Sequence, residues 1–230
     1  MNLALDIGNS FVKWAFFEGR ALESHGRLER GEAAGWLRDN RGRASRLLAA
    51  ASGDASGLGV ELLGPATPLP IGVDYSTPAT LGADRVAAGC GAAALHPGDD
   101  CLVIDAGTCI TVDYVGGGVF MGGAIMPGLD MSLLALHTGT ARLPLLSPDG
   151  RGKSPLLGRS TEECIVAGTL GATMLALAGF IAAYRSRRPG LRVLLTGGDA
   201  HLLVDAGATA WEQQPLLTLI GLNEIILHNE

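Results

Sequence analysis

Apolar positions along this chain switch between an extended and a helical period, and the switches mark out two similar halves. Residues 2–20 (NLALDIGNSFVKWAFFEGR) align with residues 100–119 (DCLVIDAGTCITVDYVGGGV) when Asp6 is laid on Asp105, an offset of 99 residues. Each copy has an apolar run, then Asp-x-Gly followed by Asn or Thr, then a second extended run rich in β-branched or aromatic residues. A glycine turn follows, at Gly19 in one copy and at Gly116 to Gly118 in the other. This pattern predicts a β-hairpin with a tight loop at Gly8 or Gly107. Repetition at so long an offset predicts an α/β chain of two duplicated halves, 1–100 and 101–230.

Helical periods fill the remainder. Residues 32–48 read as an amphipathic surface helix, 84–95 as an Ala-rich buried helix, and 129–136, 161–184 and 216–227 as further helices. Residues 191–195 form a short buried strand. Pro65, Pro68, Pro70 and Pro78 break the stretch between the halves, and residues 147–155 are a polar loop with neither period.

Composition narrows the function classes. With 230 residues, 47% of them hydrophobic and 17% charged, the chain can bury a large core and is not disordered. A net charge of −6 and 5% aromatic residues argue against nucleic acid as a partner. An anionic ligand would need a local grip, and glycine loops are the usual means. Cys90, Cys101, Cys109 and Cys164 include no C-x-x-C pair and no nearby His spacing, which argues against structural zinc and fits a reducing, cytoplasmic setting. The N-terminal run leading to Asp6 lacks the parts of a signal peptide. Residues 165–183 are uncharged and long enough to span a bilayer, but their Gly, Ala and Thr content points to a buried or subunit-interface helix, so no membrane partner is expected.

The first loop, DIGNSFVK, offers the carboxylate of Asp6, backbone N–H groups made approachable by Gly8, the hydroxyl of Ser10 and the cation of Lys13. Asp, Gly and Asn also make ordinary turns. The copy at Asp105, Gly107 and Thr108 favours a phosphate cradle, because a phosphate chain needs donors from more than one side. A third glycine element, LLTGGDA, runs from a buried strand through Gly197 and Gly198 into a helix, which suits a ring or phosphate lying close on the backbone or a plain strand-to-helix turn. GKS at Gly152 to Ser154 resembles the end of a P-loop, but Ser147 stands where the first glycine belongs and Pro155 follows at once. No G-x-G-x-x-G is present.

Between the hairpins, YSTPATLGADR places Tyr75, Gly82, Ala83, Asp84 and Arg85 at a helix start. A carboxylate there can deprotonate a hydroxyl and a guanidinium can grip a carboxylate, or the pair can serve as a helix cap with a surface ion pair. Thr161 in LGRSTEE fits a helix cap, a role also open to Ser160. The histidines His25, His96, His137, His201 and His228 form no cluster in sequence.

In this order, DIGNSFVK, LGADR, IDAGTCIT, GGAIMPGL, TARLP, LGRSTEECIVAG and LLTGGDA closely resemble the type III pantothenate kinases. That family belongs to the acetate and sugar kinase, heat-shock 70 and actin superfamily. The resemblance implies two ribonuclease-H-like halves around a nucleotide cleft, and transfer of the ATP γ-phosphate to pantothenate, the first step of coenzyme A synthesis. By motif position, Asp6, Ile7, Gly8, Asn9, Ser10, Phe11, Val12 and Lys13 would bind ATP, with Thr108 on its phosphates and Gly197 and Gly198 in the adenosine motif. Asp84 would be the base, and Tyr75, Gly82 to Arg85 and Thr161 would hold pantothenate. Asp105 would hold a monovalent cation, K+ or NH4+, while Mg2+ accompanies ATP. The resemblance also implies a homodimer, which suits the small-residue helix at 165–183. Cys109 stands where the family commonly has Ala, and the chain is rather short between Gly19 and Tyr75. Alternatives are a non-catalytic regulatory relative, another superfamily sugar or acetate kinase, or a polyphosphate phosphatase. The G-x-D-R insert separates the family from those other enzymes.

Overall fold

The computed structural model describes residues 1–149 and 152–230, so Gly150 and Arg151 of the expected polar loop lie outside the described residues. In chain order, the first half holds β1 (Asn2–Ile7), β2 (Phe11–Glu18), β3 (Ala21–Glu29), α1 (Ala33–Asn40), β4 (Arg46–Ala51), β5 (Gly72–Val73) and α2 (Ala83–Leu95). Then come β6 (Cys101–Ala106), β7 (Cys109–Gly116), β8 (Val119–Pro127), α3 (Leu129–Thr138), α4 (Thr161–Val166), α5 (Ala172–Arg185), β9 (Arg192–Thr196), α6 (Ala200–Asp205), β10 (Glu212–Gln213) and α7 (Leu217–His228). The chain divides into two compact units. One is Met1–Gly98 with Val115–Gly122 and Leu216–Glu230, and the other is Asp99–Tyr114 with Gly123–Pro215.

The repeat seen in the sequence is a repeat of strands. β1, β2 and β3 have 6, 8 and 9 residues, and β6, β7 and β8 have the same lengths in the same order. In the first unit the sheet order is β3-β2-β1-β4, with β4 parallel to β1. In the other sheet, β8, β7 and β6 are followed by β9, again parallel to β6, and then by β10.

Both faces of the first sheet are covered. Leu3, Leu5, Ile7, Val12 and Phe16 pack with Ala33 and Leu37 of α1. The alternate positions Ala4, Ala15, Phe17, Leu48 and Ala50 pack with α2 and α7. These two helices meet backbone to backbone, since a Cβ on Gly221 would overlap the Ala87 carbonyl. The Glu224 carboxylate accepts two bonds from Arg20, at 2.7 and 2.8 Å, and Asn223 donates to the Gly19 carbonyl at 2.8 Å. These contacts place the C-terminal helix in the first unit.

One expected helix is corrected. Residues 32–48 form α1 only as far as Asn40, then a single turn at Arg41–Arg43, and then strand β4. Leu47, Leu48, Ala49 and Ala50 are buried beside β1, and a short apolar run between breakers does not reveal its own period.

The second unit has one large core, including Leu102, Ile104, Val112, Leu177, Leu195 and Leu203. Helix Thr161–Arg185 is long and apolar enough to cross a membrane by length and composition, but Ile165, Leu170, Leu177 and Ile181 are packed into that core. It carries a π-helical turn at Ala167–Gly171, and its opposite face is exposed, with Leu175 63% accessible.

Candidate active site

The first glycine loop joins β1 to β2, and several of its carbonyls are tied down. The Ile7 carbonyl accepts from the Ser52 and Gly53 N–H groups, both at 3.0 Å, and the Gly8 carbonyl accepts from Arg30 Nη1 at 3.2 Å. The Ser10 carbonyl accepts from the Arg30 N–H at 3.2 Å, and the Gly8 N–H donates to the Phe11 carbonyl at 3.0 Å. Asn9, Ser10 and Phe11 are exposed, with Arg27 stacked 4.2 Å over the Phe11 ring. The Ile7 and Val12 side chains are core residues, so these two positions can meet a ligand only through the main chain.

Asp6 and Lys13 stand directly opposite in the hairpin, with Lys13 Nζ 4.0 Å from Asp6 Oδ2. Burial pushes the Asp6 carboxyl above the ordinary carboxylate range, Lys13 opposes that rise, and the charge of Asp84 adds to it. The charge of Asp84 in the G-x-D-R motif is therefore felt at the first loop.

Gly82 is the residue preceding α2, and Asp84 is in its first turn, where the helix dipole favours a negative charge. Asp84 Oδ1 accepts the Arg85 backbone N–H at 2.9 Å. Arg85 is only 9% exposed, which excludes a surface ion pair as its sole role. Its guanidinium lies 5.9 Å from the Tyr75 ring centre and 5.8 Å from that of Phe120. Gly122, at φ +91°, lets the Tyr75 ring lie close, since a Cβ there would be 3.1 Å from two ring carbons. Phe120 and Gly122 were not expected as site residues. The signal for Gly122 was its place in GGAIMPGL; Phe120 has none beyond the chain of β8.

In the second unit, the loop from β6 to β7 has Asp105 at the strand end and Thr108 exposed at the turn. The Gly107 N–H donates to the Cys109 carbonyl and the Gly128 N–H to the Thr108 carbonyl, both at 3.0 Å. Gly197, at φ +101°, sits against this strand end; an added Cβ would lie 2.5 Å from Asp105 Oδ1. The Asp199 N–H donates to the Ala106 carbonyl at 2.9 Å, so the LLTGGDA junction and the second loop form one cluster with Gly198 exposed beside it. Ser160, whose side chain accepts the Glu163 N–H, is the helix cap, which leaves Thr161 as the exposed first residue of α4.

A duplicated three-strand meander with a glycine loop after each first strand, and a parallel strand beside it, defines an actin-like ATPase and sugar-kinase fold. Solved structures agree on the fold. A Campylobacter jejuni protein described as a Baf family transcriptional activator aligns with a TM-score of 0.67 at 20% identity, covering 99% of this chain and 98% of that one. The activator of 2-hydroxyisocaproyl-CoA dehydratase from Clostridium difficile, solved with ADPNP, aligns at 0.57 and 14% identity, covering 99% and 94%. The chain belongs to the type III pantothenate kinase family, whose model matches residues 41–183. It is 36% identical to the type III pantothenate kinase of Cytophaga hutchinsonii over 100% of both chains. It is 39% identical to that of Bacteroides fragilis, over 100% of this chain and 98% of the relative.

Proposed function

We propose that this chain transfers the γ-phosphoryl group of ATP to the primary hydroxyl of pantothenate, the entry step of coenzyme A synthesis, with Asp84 as the base. The observation that carries this reading is the start of α2, where Asp84 stands beside a buried Arg85 whose guanidinium faces the Tyr75 and Phe120 rings. Phosphoryl transfer needs positioning and charge stabilisation more than covalent help. Asp84 would orient the hydroxyl and take its proton as the new P–O bond forms. Arg85, held against Tyr75 and Phe120, would grip the pantothenate carboxylate, with Gly82, Ala83 and Thr161 completing the substrate contacts.

Asp6 to Lys13 would bind ATP, with Thr108 on its phosphates and Gly197 and Gly198 near its adenosine. Among the described residues no three His, Cys, Asp or Glu side chains converge as a metal site. Mg2+ does not need such a cluster, since it keeps waters and takes one or two carboxylates beside substrate phosphates. Asp6, 18% exposed near the end of β1 beside the first glycine loop, would supply one such carboxylate. When bound, Mg2+ neutralises phosphate charge. Asp105, clustered with Gly197, would hold K+ or NH4+.

The division at 1–100 and 101–230 would assign the acceptor motif to one half and the dimer helix to the other. A homodimer would use the exposed face of α5, where Ala172, Leu175 and Gly179 present small and apolar surface. The free thiols fit a cytoplasmic setting. The test is Asp84→Asn, which should lower kcat about 100-fold or more while ATP affinity stays nearly unchanged. Near-normal turnover would remove Asp84 as the base.

A further inference from the structure

We infer that Arg30 is a positioning residue for the nucleotide loop, setting through the Gly8 carbonyl the direction of the backbone N–H that meets a phosphate oxygen. The inference rests on reading residues 6–13 as that loop. Arg30 lies just past β3, outside every glycine motif, yet it touches the loop twice. Its backbone N–H donates to the Ser10 carbonyl and its Nη1 to the Gly8 carbonyl, both at 3.2 Å. Among the described residues there is no cis peptide, and in a planar trans peptide the carbonyl and the next N–H point in opposite directions. Holding the Gly8 carbonyl toward Arg30 therefore aims the Asn9 N–H the other way. The Ser10 carbonyl sets the Phe11 N–H by the same rule.

The guanidinium is itself held. Asp54 Oδ2 lies 3.6 Å from Arg30 Nη2, and Asp54 accepts from the Ser56 N–H at 2.9 Å and the Ser56 hydroxyl at 2.8 Å. Those Ser56 bonds, with the Arg30 charge a smaller cause, keep the Asp54 carboxyl below its ordinary range and so ionised. Gly53 makes the arrangement possible, since a Cβ there would fall 2.5 Å from the Gly8 oxygen and 2.8 Å from Arg30 Nη1. Arg30 uses one nitrogen on the loop and another on Asp54. A lysine ammonium on a flexible stem cannot hold both in fixed directions.

The experiment compares purified full-length Arg30→Met, Arg30→Lys and Lys13→Met with the parent chain. It measures KM for each substrate, kcat, and calorimetric binding of a non-hydrolysable ATP analogue with Mg2+. Arg30→Met should raise KM for ATP and Kd for the analogue about tenfold, the effect of one charge-assisted hydrogen bond. KM for pantothenate and kcat should change by less than about twofold, and Arg30→Lys should recover part of the ATP loss. Unchanged ATP affinity, or a parallel loss in kcat and both KM values, would overturn the positioning role. Lys13→Met separates the two readings. If it weakens ATP binding and Arg30→Met does not, only the role of Arg30 fails; if neither does, the loop reading fails and takes Arg30 with it. Should Arg30→Met not fold, Asp54→Asn takes its place, with about a threefold rise in KM for ATP expected and no rise overturning the proposal.

Discussion

Asp6→Asn should make the protein more stable at neutral pH and, on the proposed role of Asp6, weaken ATP binding. The side chain is 18% exposed, and burial is the largest cause of its raised pKa. An aspartate whose folded-state pKa is raised favours folding only while protonated. That stability is complete below the ordinary value of 3.8 and is lost as pH rises through the folded-state pKa. At neutral pH the buried carboxyl is therefore a cost, and the Asp84 charge increases it. Asparagine keeps the shape without the charge. It gives up the ion pair to Lys13, but that pair is 4.0 Å long and worth about 1 kcal/mol at most. Burial outweighs Lys13, so a net gain of about 1 kcal/mol is expected, as at other functional sites that trade stability for activity. For a chain of this length that raises Tm by about 2–4 °C. Calorimetric melts of both proteins from neutral pH downward should show the gap closing as pH approaches 3.8. ATP with Mg2+ should raise the Tm of the parent and not of the variant. A variant that melts lower at neutral pH, or a gap independent of pH, would refute the reasoning.

Gly122→Ala should raise KM for pantothenate several-fold and leave KM for ATP unchanged. A Cβ at φ +91° is strained by about 1–2 kcal/mol and would lie 3.1 Å from the Tyr75 ring, so steady-state kinetics with each substrate varied decide it. Thiol labelling of the folded chain should modify the exposed Cys164 first and spare Cys90 and Cys101 until unfolding. Burial pushes their thiols up to about 12 and about 11, respectively, which mass spectrometry of timed labelling reactions would check.

Features written locally were legible in the sequence. The two hairpins showed themselves because Asp-x-Gly and its flanking strands recur, and α2 because its alanines and the preceding Gly82 mark a helix and its start. β4 was hidden because Leu47 to Ala50 have no period of their own and become a strand only when β1 is there to pair with. The placement of α7 in the first unit depends on Gly221 meeting Ala87 and Glu224 meeting Arg20, contacts that no local pattern announces. The same holds at the site. Asp84 and Arg85 were visible as a motif, but the rings around Arg85 come from Tyr75, after β5, and from Phe120 on β8. Arg30 and Gly53 lie outside the loop they support and were invisible for the same reason.

The central claim is that this fold phosphorylates pantothenate, and direct turnover tests it. Purified full-length protein with pantothenate, ATP, Mg2+ and K+ or NH4+ should form ADP and 4′-phosphopantothenate in equal amounts, followed by phosphorus NMR or mass spectrometry. Replacing K+ and NH4+ with Na+ should slow the reaction if Asp105 holds the monovalent cation. A folded protein that binds ATP yet forms no phosphopantothenate under these conditions would contradict the account.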